Sequence, residues 1–339
     1  MLPVQDLALG GAGNVYLAHR RGAIILPRVS KGERFDKRAN WRLTRFGFWL
    51  SAWFPFLHRL LFHKAFQYVA KAAWGDLDPQ WRFDINPSYT SNLSGIMVND
   101  DIVRLLREGA IQSVNGVRRV CGPRCVEIDD GTRIEDVDAI IACTGYTVSF
   151  DICGSAVSYS EFGPDISPLP NLYRNIFPVE HADSVAFVSY IVLMESAFLT
   201  RELAGMAIAQ IWAGKSTLPS RKDMVRSVQE QHAWYNKRCA TEPLSQYEGM
   251  VEPHDWSRFI NGAAGTGMYE NLGWTVRGFW FMLREPVLSL RMNWGTHSPH
   301  MYRFFETGKR KAWHGAREAI TVANDVALGH HSKVKMKSA

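Results

Sequence analysis

The sequence predicts an α/β fold, and three observations carry that expectation. The segment Asn14–Gly22 is a short apolar stretch that ends in the basic turn His19-Arg20-Arg21. Ile102, Val103, Leu105 and Leu106 recur with helical spacing between Asn99-Asp100, which can cap a helix, and Gly109, which can stop one. Val137 to Cys143 is a nearly continuous apolar run bounded by turn residues, the pattern of a strand buried on both faces. Strand, helix, hairpin and strand in this order make part of a nucleotide-binding α/β unit with a second layer after it.

Each element follows from its own residues. Gly10-Gly11-Ala12-Gly13 stops a helix before the strand at Asn14. Residues 41–73 read as helix interrupted at Pro55, and 75–95, rich in Pro, Asn and Ser, as loop. Two alternating segments, 110–120 and 124–134, form strands, with Asp130-Gly131 as a turn. Beyond Gly145 the chain becomes loop, followed by a buried strand at 184–191 and a long helix over about 197–213. Charged helices at 221–238 and from Asp255, and a last helix within 315–329, complete the pattern. The basic tail, 330–339, is expected to be disordered.

At 339 residues the chain has room for about two domains. Hydrophobic residues at 46% and charged ones at 21% place it among globular proteins. The net charge of +6 fits a phosphate-bearing cofactor or an anionic surface, but surplus Lys and Arg on a solvated face is the ordinary explanation. No basic block interleaved with aromatics marks a nucleic-acid reader. Five scattered cysteines argue against a disulfide framework and for a reducing compartment. Cys121-Gly-Pro-Arg-Cys125 reads as a turn, and without a second Cys/His cluster no metal site is expected. The N-terminus lacks the basic and apolar regions of a signal peptide.

Two apparent motifs fail on context. Gly10-Gly11-Ala12-Gly13-Asn14 has the wrong spacing for G-x-G-x-x-G, and Ala213-Gly-Lys-Ser-Thr217 lacks the first glycine and the strand of a P-loop. The aromatic stretch Phe46–Leu57 is twelve residues, too short to span a bilayer. With Arg42, Arg45, Arg59 and Lys64 as flanking cations it reads either as an interfacial segment or as a packed helix pair. A similar patch recurs at 273–286, so the two can meet on one face or line an apolar channel. The basic turn after the first strand stands where an open nucleotide-binding sheet reads the ribose, and an arginine there favours a 2′-phosphate.

The segment from Asp130 to Phe150, with its Asp-Gly, apolar run and Thr144-Gly145-Tyr146, resembles the flavin-containing monooxygenases. So do the strand with its arginine turn, the Asn99-Asp100 helix, Ser298-Pro299 with Tyr302-Arg303, and Trp313 with Gly315-Ala316-Arg317. The order of these segments matches the family over nearly the whole chain. The resemblance implies an incomplete two-dinucleotide-binding-domain, Rossmann-like flavoprotein fold with an aromatic helical insertion. Residues 1–145 would be the remainder of an NADPH-binding domain carrying the insertion at about 41–73, and 146–329 the returning part of an FAD domain with C-terminal helices.

The family's two glycine loops and its intervening asparagine segment are not found in this sequence, which resembles the family from just after the second loop. FAD and NADPH are the implied cofactors. Arg20 and Arg21 would face the 2′-phosphate, and Thr144 and Gly145 would lie where the chain crosses between domains. The implied reaction inserts one oxygen atom from molecular oxygen into a soft nitrogen or sulfur nucleophile of a small lipophilic substrate. The cofactor carries the redox steps while the protein shields and positions it, so no catalytic side chain is nominated. Glu195 with Ser196, and His297 and His300, are assigned structural roles. The chain is expected to be inactive or incomplete as it stands, cytoplasmic, and in peripheral contact with a membrane such as the endoplasmic reticulum. A non-catalytic membrane-surface scaffold derived from the family, and a Baeyer-Villiger enzyme of the same superfamily, remain the alternatives.

Overall fold

A computed structural model describes residues 2–19, 23–30, 33–34, 40–83, 96–145, 148–160, 168–241 and 248–328. In chain order the helices and strands are α1 (Leu2–Leu9), β1 (Tyr16–Ala18), β2 (Ile24–Leu26), β3 (Val29–Ser30), β4 (Glu33–Arg34), α2 (Trp41–Trp53) and α3 (Pro55–Trp74). Then come β5 (Ile96–Val98), α4 (Ile102–Arg107), β6 (Gln112–Val114), β7 (Val117–Gly122), β8 (Cys125–Ile128) and β9 (Arg133–Ile134). The rest is β10 (Leu172–Tyr173), β11 (Phe177–Pro178), α5 (Ala197–Trp212), α6 (Arg221–Thr241), α7 (Pro253–Ala264), α8 (Met268–Leu272), α9 (Val276–Arg284), α10 (Pro286–Trp294) and α11 (Ala316–Ala327). The chain divides into two compact units, one of residues 1–35 and 59–148, the other of 36–58 and 149–339. The division passes through α3 after His58.

The first unit is α/β. β1 pairs in parallel with β6, and β2 in parallel with β5, while β7, β8 and β9 form an antiparallel sheet. The amphipathic face of α4 is the centre of its core: Ile102, Val103, Leu105 and Leu106 pack with Val15, Leu17, Ile25 and Ile111. Gly10 and Gly11 end α1 as expected, Gly11 at a φ of +86°. Gly131, at +87°, makes the turn between β8 and β9.

The second unit is mostly helical. α5 lies against α7, burying Leu203, Ala204 and Ala207 with Trp256, Ile260 and Ala264. The sequence specifies α7 at both ends. Glu252 accepts from the backbone amides of His254 and Asp255 at 3.1 and 2.6 Å, Pro253 occupies the first turn, and Gly265 takes a left-handed φ of +64° past the end. Asn40 caps α2, and that helix stops at Phe54 because the residue before Pro55 is excluded from helical backbone.

Two expected strands do not form. Residues 137–145 are irregular, and Ile140 and Ile141 are 55% and 53% exposed. Residues 184–191 are irregular too, followed by a single bridge from Val192 to Met250. An apolar run becomes a strand only where a neighbour completes its backbone hydrogen bonds, and among the described residues neither segment forms a ladder, although Val137 donates to Arg124 and Phe187 to Ile176. The cysteine expectation is also corrected: Cys121 and Cys125 are disulfide-bonded across the β7–β8 turn, although no wider framework accompanies them among the described residues. No group of His, Cys, Asp and Glu there could hold a metal ion. The tail at 330–339 lies outside the described residues.

Candidate functional site

In the first unit the carboxyl end of β1 is where an open parallel sheet would meet a ligand. His19, the first residue of the basic turn, is fixed there: its Nε2 lies 2.8 Å from Ser113 Oγ and 3.2 Å from the Trp81 carbonyl, and its ring stacks on Phe83 at 5.2 Å. Arg20 and Arg21 lie outside the described residues, as does Tyr146. Thr144 and Gly145 are exposed on irregular chain, with Gly145 at a φ of +89°, a conformation that favours glycine. Of the four residues expected at the cofactor, only Thr144 and Gly145 are described, and they are neighbours in sequence.

The Asn99-Asp100 pair acts as a structural lock. The Asn99 side-chain oxygen accepts from the amides of Asp101 and Ile102 at 2.8 and 2.9 Å, and its amide donates to Gln5 at 2.9 Å. Gln5 in turn donates to Asp101 at 2.8 Å, while Asp100 accepts from the Arg28 amide at 2.7 Å. The start of α4, the helix α1 and the chain after β2 are thereby tied together.

The second unit holds a buried polar cluster that sequence reasoning did not assemble. Arg45, on α2, donates to Glu195 at 2.5 Å and also contacts Ser257 of α7. His297 Nδ1 lies 3.2 Å from the same Glu195 oxygen, and the Tyr269 hydroxyl donates to Ser257 at 3.0 Å. The guanidinium sits 4.5 Å from the centroids of both Trp41 and Phe48. Burial pushes the Glu195 carboxyl up, but Arg45 and His297 outweigh it and hold the group at about 2. Burial likewise pulls Arg45 down, and Glu195 more than restores it. Both are fully charged at neutral pH. Arg45 is consequently no headgroup cation, because its charge is paired inside the fold, and at this position the packed-helix reading of the aromatic stretch is the one that fits. Nothing in the sequence joins residues 150 positions apart, so the pair was not legible there.

The late segments also have structural uses. Tyr302 is fully buried, and Arg303 contacts Glu202 while its carbonyl accepts from the Trp313 amide at 2.9 Å. A Cβ at Gly315 would stand 2.5 Å from the Trp313 ring, so only glycine lets α11 start there. Arg317 reaches back from α11 to Glu285 with two hydrogen bonds of 2.9 and 2.7 Å. Gly295 is excluded from carrying a side chain by Asn324, whose oxygen would lie 1.8 Å from its Cβ and accepts from the Thr296 amide at 3.0 Å. The segment at 213–217 is the end of α5, with Gly214 at +69° and the amides of Lys215 and Ser216 returning to the Gln210 carbonyl. An open depression of about 530 Å³ lies along α5, bordered by Phe198, Arg201, Glu202, Met206 and Arg303. Gly205 and Ala209 lie on the same face, where a Cβ at Gly205 would meet open space.

Residues 8–337 match the family described as flavin-binding monooxygenase-like, and the chain belongs to that family, which is flavin-binding and NADPH-dependent. Monooxygenase aurF of Gibberella zeae is 37% identical over 331 residues, covering 92% of this chain and 60% of that protein. Flavin-containing monooxygenase 5 of Cavia porcellus is 25% identical over 318 residues, 93% of this chain and 54% of the relative. The chain thus spans a little over half the length of these curated relatives. The solved S-allyl-L-cysteine S-oxygenase of Allium sativum aligns with 62% of this chain and 44% of its own, at 20% identity and a TM-score of 0.35, too low to bear on the fold.

The described residues do not by themselves fit either dinucleotide. A pyrophosphate is held by backbone amides of a glycine loop at a helix N-terminus, and the sequence holds no G-x-G-x-x-G. Thr144 and Gly145 stand on an exposed segment with no strand beside it among the described residues. No chemical step through flavin or NADPH can be assigned to these side chains.

Proposed function

We propose that this chain is the later part of a flavin-dependent, NADPH-using monooxygenase, with residues 1–145 belonging to a Rossmann-like NADPH domain and 146–329 to the FAD domain. The reaction places one atom of molecular oxygen on a soft nitrogen or sulfur nucleophile of a small lipophilic substrate. NADPH supplies the two electrons, and the second oxygen atom leaves as water. In this reading Arg20 and Arg21 face the 2′-phosphate, and Thr144 and Gly145 mark the crossing between domains. These 339 residues are incomplete for the activity, since the glycine loops must come from further polypeptide. The observation that carries the reading is continuity: the family match runs without interruption from residue 8 to residue 337.

Expression of this chain together with its upstream coding sequence tests the proposal. The expected product is yellow and oxidises NADPH with oxygen uptake, at a rate raised by a tertiary amine or a thioether. A folded, colourless product that leaves NADPH untouched overturns it, and turnover of ketones alone moves it to the Baeyer-Villiger class.

A second reading concerns placement at an anionic membrane surface. It is favoured by the exposed aromatic and aliphatic side chains that α2, α9 and α10 carry together in the second unit. Among the described residues no helix is long and apolar enough to cross a membrane, so the contact proposed is peripheral.

A further inference from the structure

We propose that Cys121 and Cys125 form a reversible thiol–disulfide couple, whose state sets how firmly the segment carrying Thr144 and Gly145 is anchored. The two cysteines face each other across the β7–β8 turn with Cα atoms 5.3 Å apart, inside the range a disulfide accepts. Cys125 pairs with Gly122 in the ladder, and Cys121 is the extra residue of the irregularity between Val120 and Gly122. The bulge aims its side chain toward Cys125.

Three features point to reversibility. The loop closed by the bond is one of the shortest possible, so it restricts the unfolded chain little and the bond adds little to stability. The hairpin is held independently, because β8 is laddered to β7 on one side and β9 on the other. Both redox states can therefore keep the same strands. Cys121 is exposed and Cys125 half-buried, which leaves the bond open to small thiols, and exposed disulfides are the labile ones.

The turn between the cysteines also anchors the chain beyond β9. The Arg124 carbonyl accepts from the Val137 amide at 3.0 Å, and its guanidinium reaches Asp138 at 2.7 Å and Asp136 at 3.8 Å. Residues 138–145, exposed and without a strand partner among the described residues, leave from that point. Gly122 and Cys125 stay paired in the ladder, so opening the disulfide loosens only Pro123 and Arg124 between them, and with Arg124 the attachment of Val137 and Asp138.

The co-reactant is a low-molecular-weight disulfide. One cysteine thiolate attacks it to give a mixed disulfide and release one thiol, then the second cysteine displaces the other. The protein loses two electrons and two protons, and the small disulfide becomes two thiols. Reduction is the same exchange reversed.

The test equilibrates the purified chain in glutathione buffers from fully reduced to fully oxidised, quenches with acid, alkylates with N-ethylmaleimide and analyses the peptide by mass spectrometry. Both alkylations should be lost together over an intermediate glutathione ratio. Cys121→Ser and Cys125→Ser should each leave a single thiol in the turn that takes up glutathione and forms no bond across it. With Cys143, an exposed free thiol, replaced by Ser throughout so that glutathione cannot add within the segment, amide exchange at 137–145 should be several-fold slower in the oxidised chain, and insensitive to glutathione once Cys121→Ser and Cys125→Ser are added. A bond that survives the most reducing buffer, or two thiols that stay alkylated in the most oxidising one, overturns the couple. Equal exchange of 137–145 in the two redox states overturns the anchoring.

Discussion

At the scale of single residues, the most consequential choice in the second unit is the burial of Arg45 against Glu195. Removing one partner of a buried ion pair strands the other charge, which costs about 3–5 kcal/mol. Glu195→Gln should therefore lower the thermal midpoint strongly, whereas Arg45→Met with Glu195→Gln should recover part of the loss, because neither change then leaves a bare charge. Additive effects would show that the two groups are not coupled. The same pair sets a pH dependence. The Glu195 carboxyl is held at about 2 in the fold, below its ordinary value near 4.3. Its contribution is complete above the unfolded value and disappears as the pH falls from there toward 2. His58 acts higher on the scale: burial, then Arg238, lower it to about 4, so the unfolded chain takes up that proton first and stability declines from pH 6.5 down to 4. A thermal midpoint that is flat between pH 6.5 and 4 would contradict the His58 contribution.

At the scale of elements, what could be read in the sequence was whatever each element satisfies by itself. Helices α4, α5, α6 and α11 close their own hydrogen bonds, and their caps and stops lie within a few residues, as Asn99 and Gly109 do at the two ends of α4. Hairpin β7–β8–β9 was legible for the same reason, its partners being consecutive. Val137–Cys143 was not, since its strand character depends on neighbours that composition cannot supply. The aromatic helices show a third case. Their length and apolar content were plain, but whether they face inward depended on tertiary contacts: Trp41 and Phe48 enter the core, while Phe46, Trp49 and Trp53 remain exposed. Arg42 donates to Asn293 of α10 at 2.7 Å and lies 4.9 Å from the Trp274 ring, which joins the two aromatic patches. If this surface meets anionic lipid, the chain should co-sediment with phosphatidylserine vesicles at low salt, and Phe46→Ser with Trp280→Ser should reduce the bound fraction several-fold without altering the circular dichroism. Retention of full binding by that double variant would assign the interaction elsewhere.

At the scale of the whole molecule, each unit can be judged by whether it completes its own hydrogen bonding and burial. The helical unit closes its core around Trp256, Tyr302 and Ile260, which are almost wholly buried. Among the described residues of the α/β unit the two parallel ladders each hold a pair of strands, and the apolar run at 139–143 stands in solvent. Parallel strands are normally covered on both faces, and an exposed segment with unpaired amides and β-branched side chains is a template for another chain. These 339 residues alone should therefore self-associate through this segment, the more so as concentration rises, since Ile140 and Ile141 expose more than half of their surface. Ile140→Lys places a charge in the middle of any added strand and should shift light scattering toward the monomer at equal concentration, while Leu290→Lys, at an exposed position on α10, probes the aromatic helical face instead. The same lysine at position 140 should impair flavin retention in a longer polypeptide that pairs the segment natively, because there the side chain enters a covered sheet. If Ile140→Lys leaves association unchanged while Leu290→Lys abolishes it, the adhesive surface is the aromatic helical face and the Thr144-Gly145 segment is not an open strand.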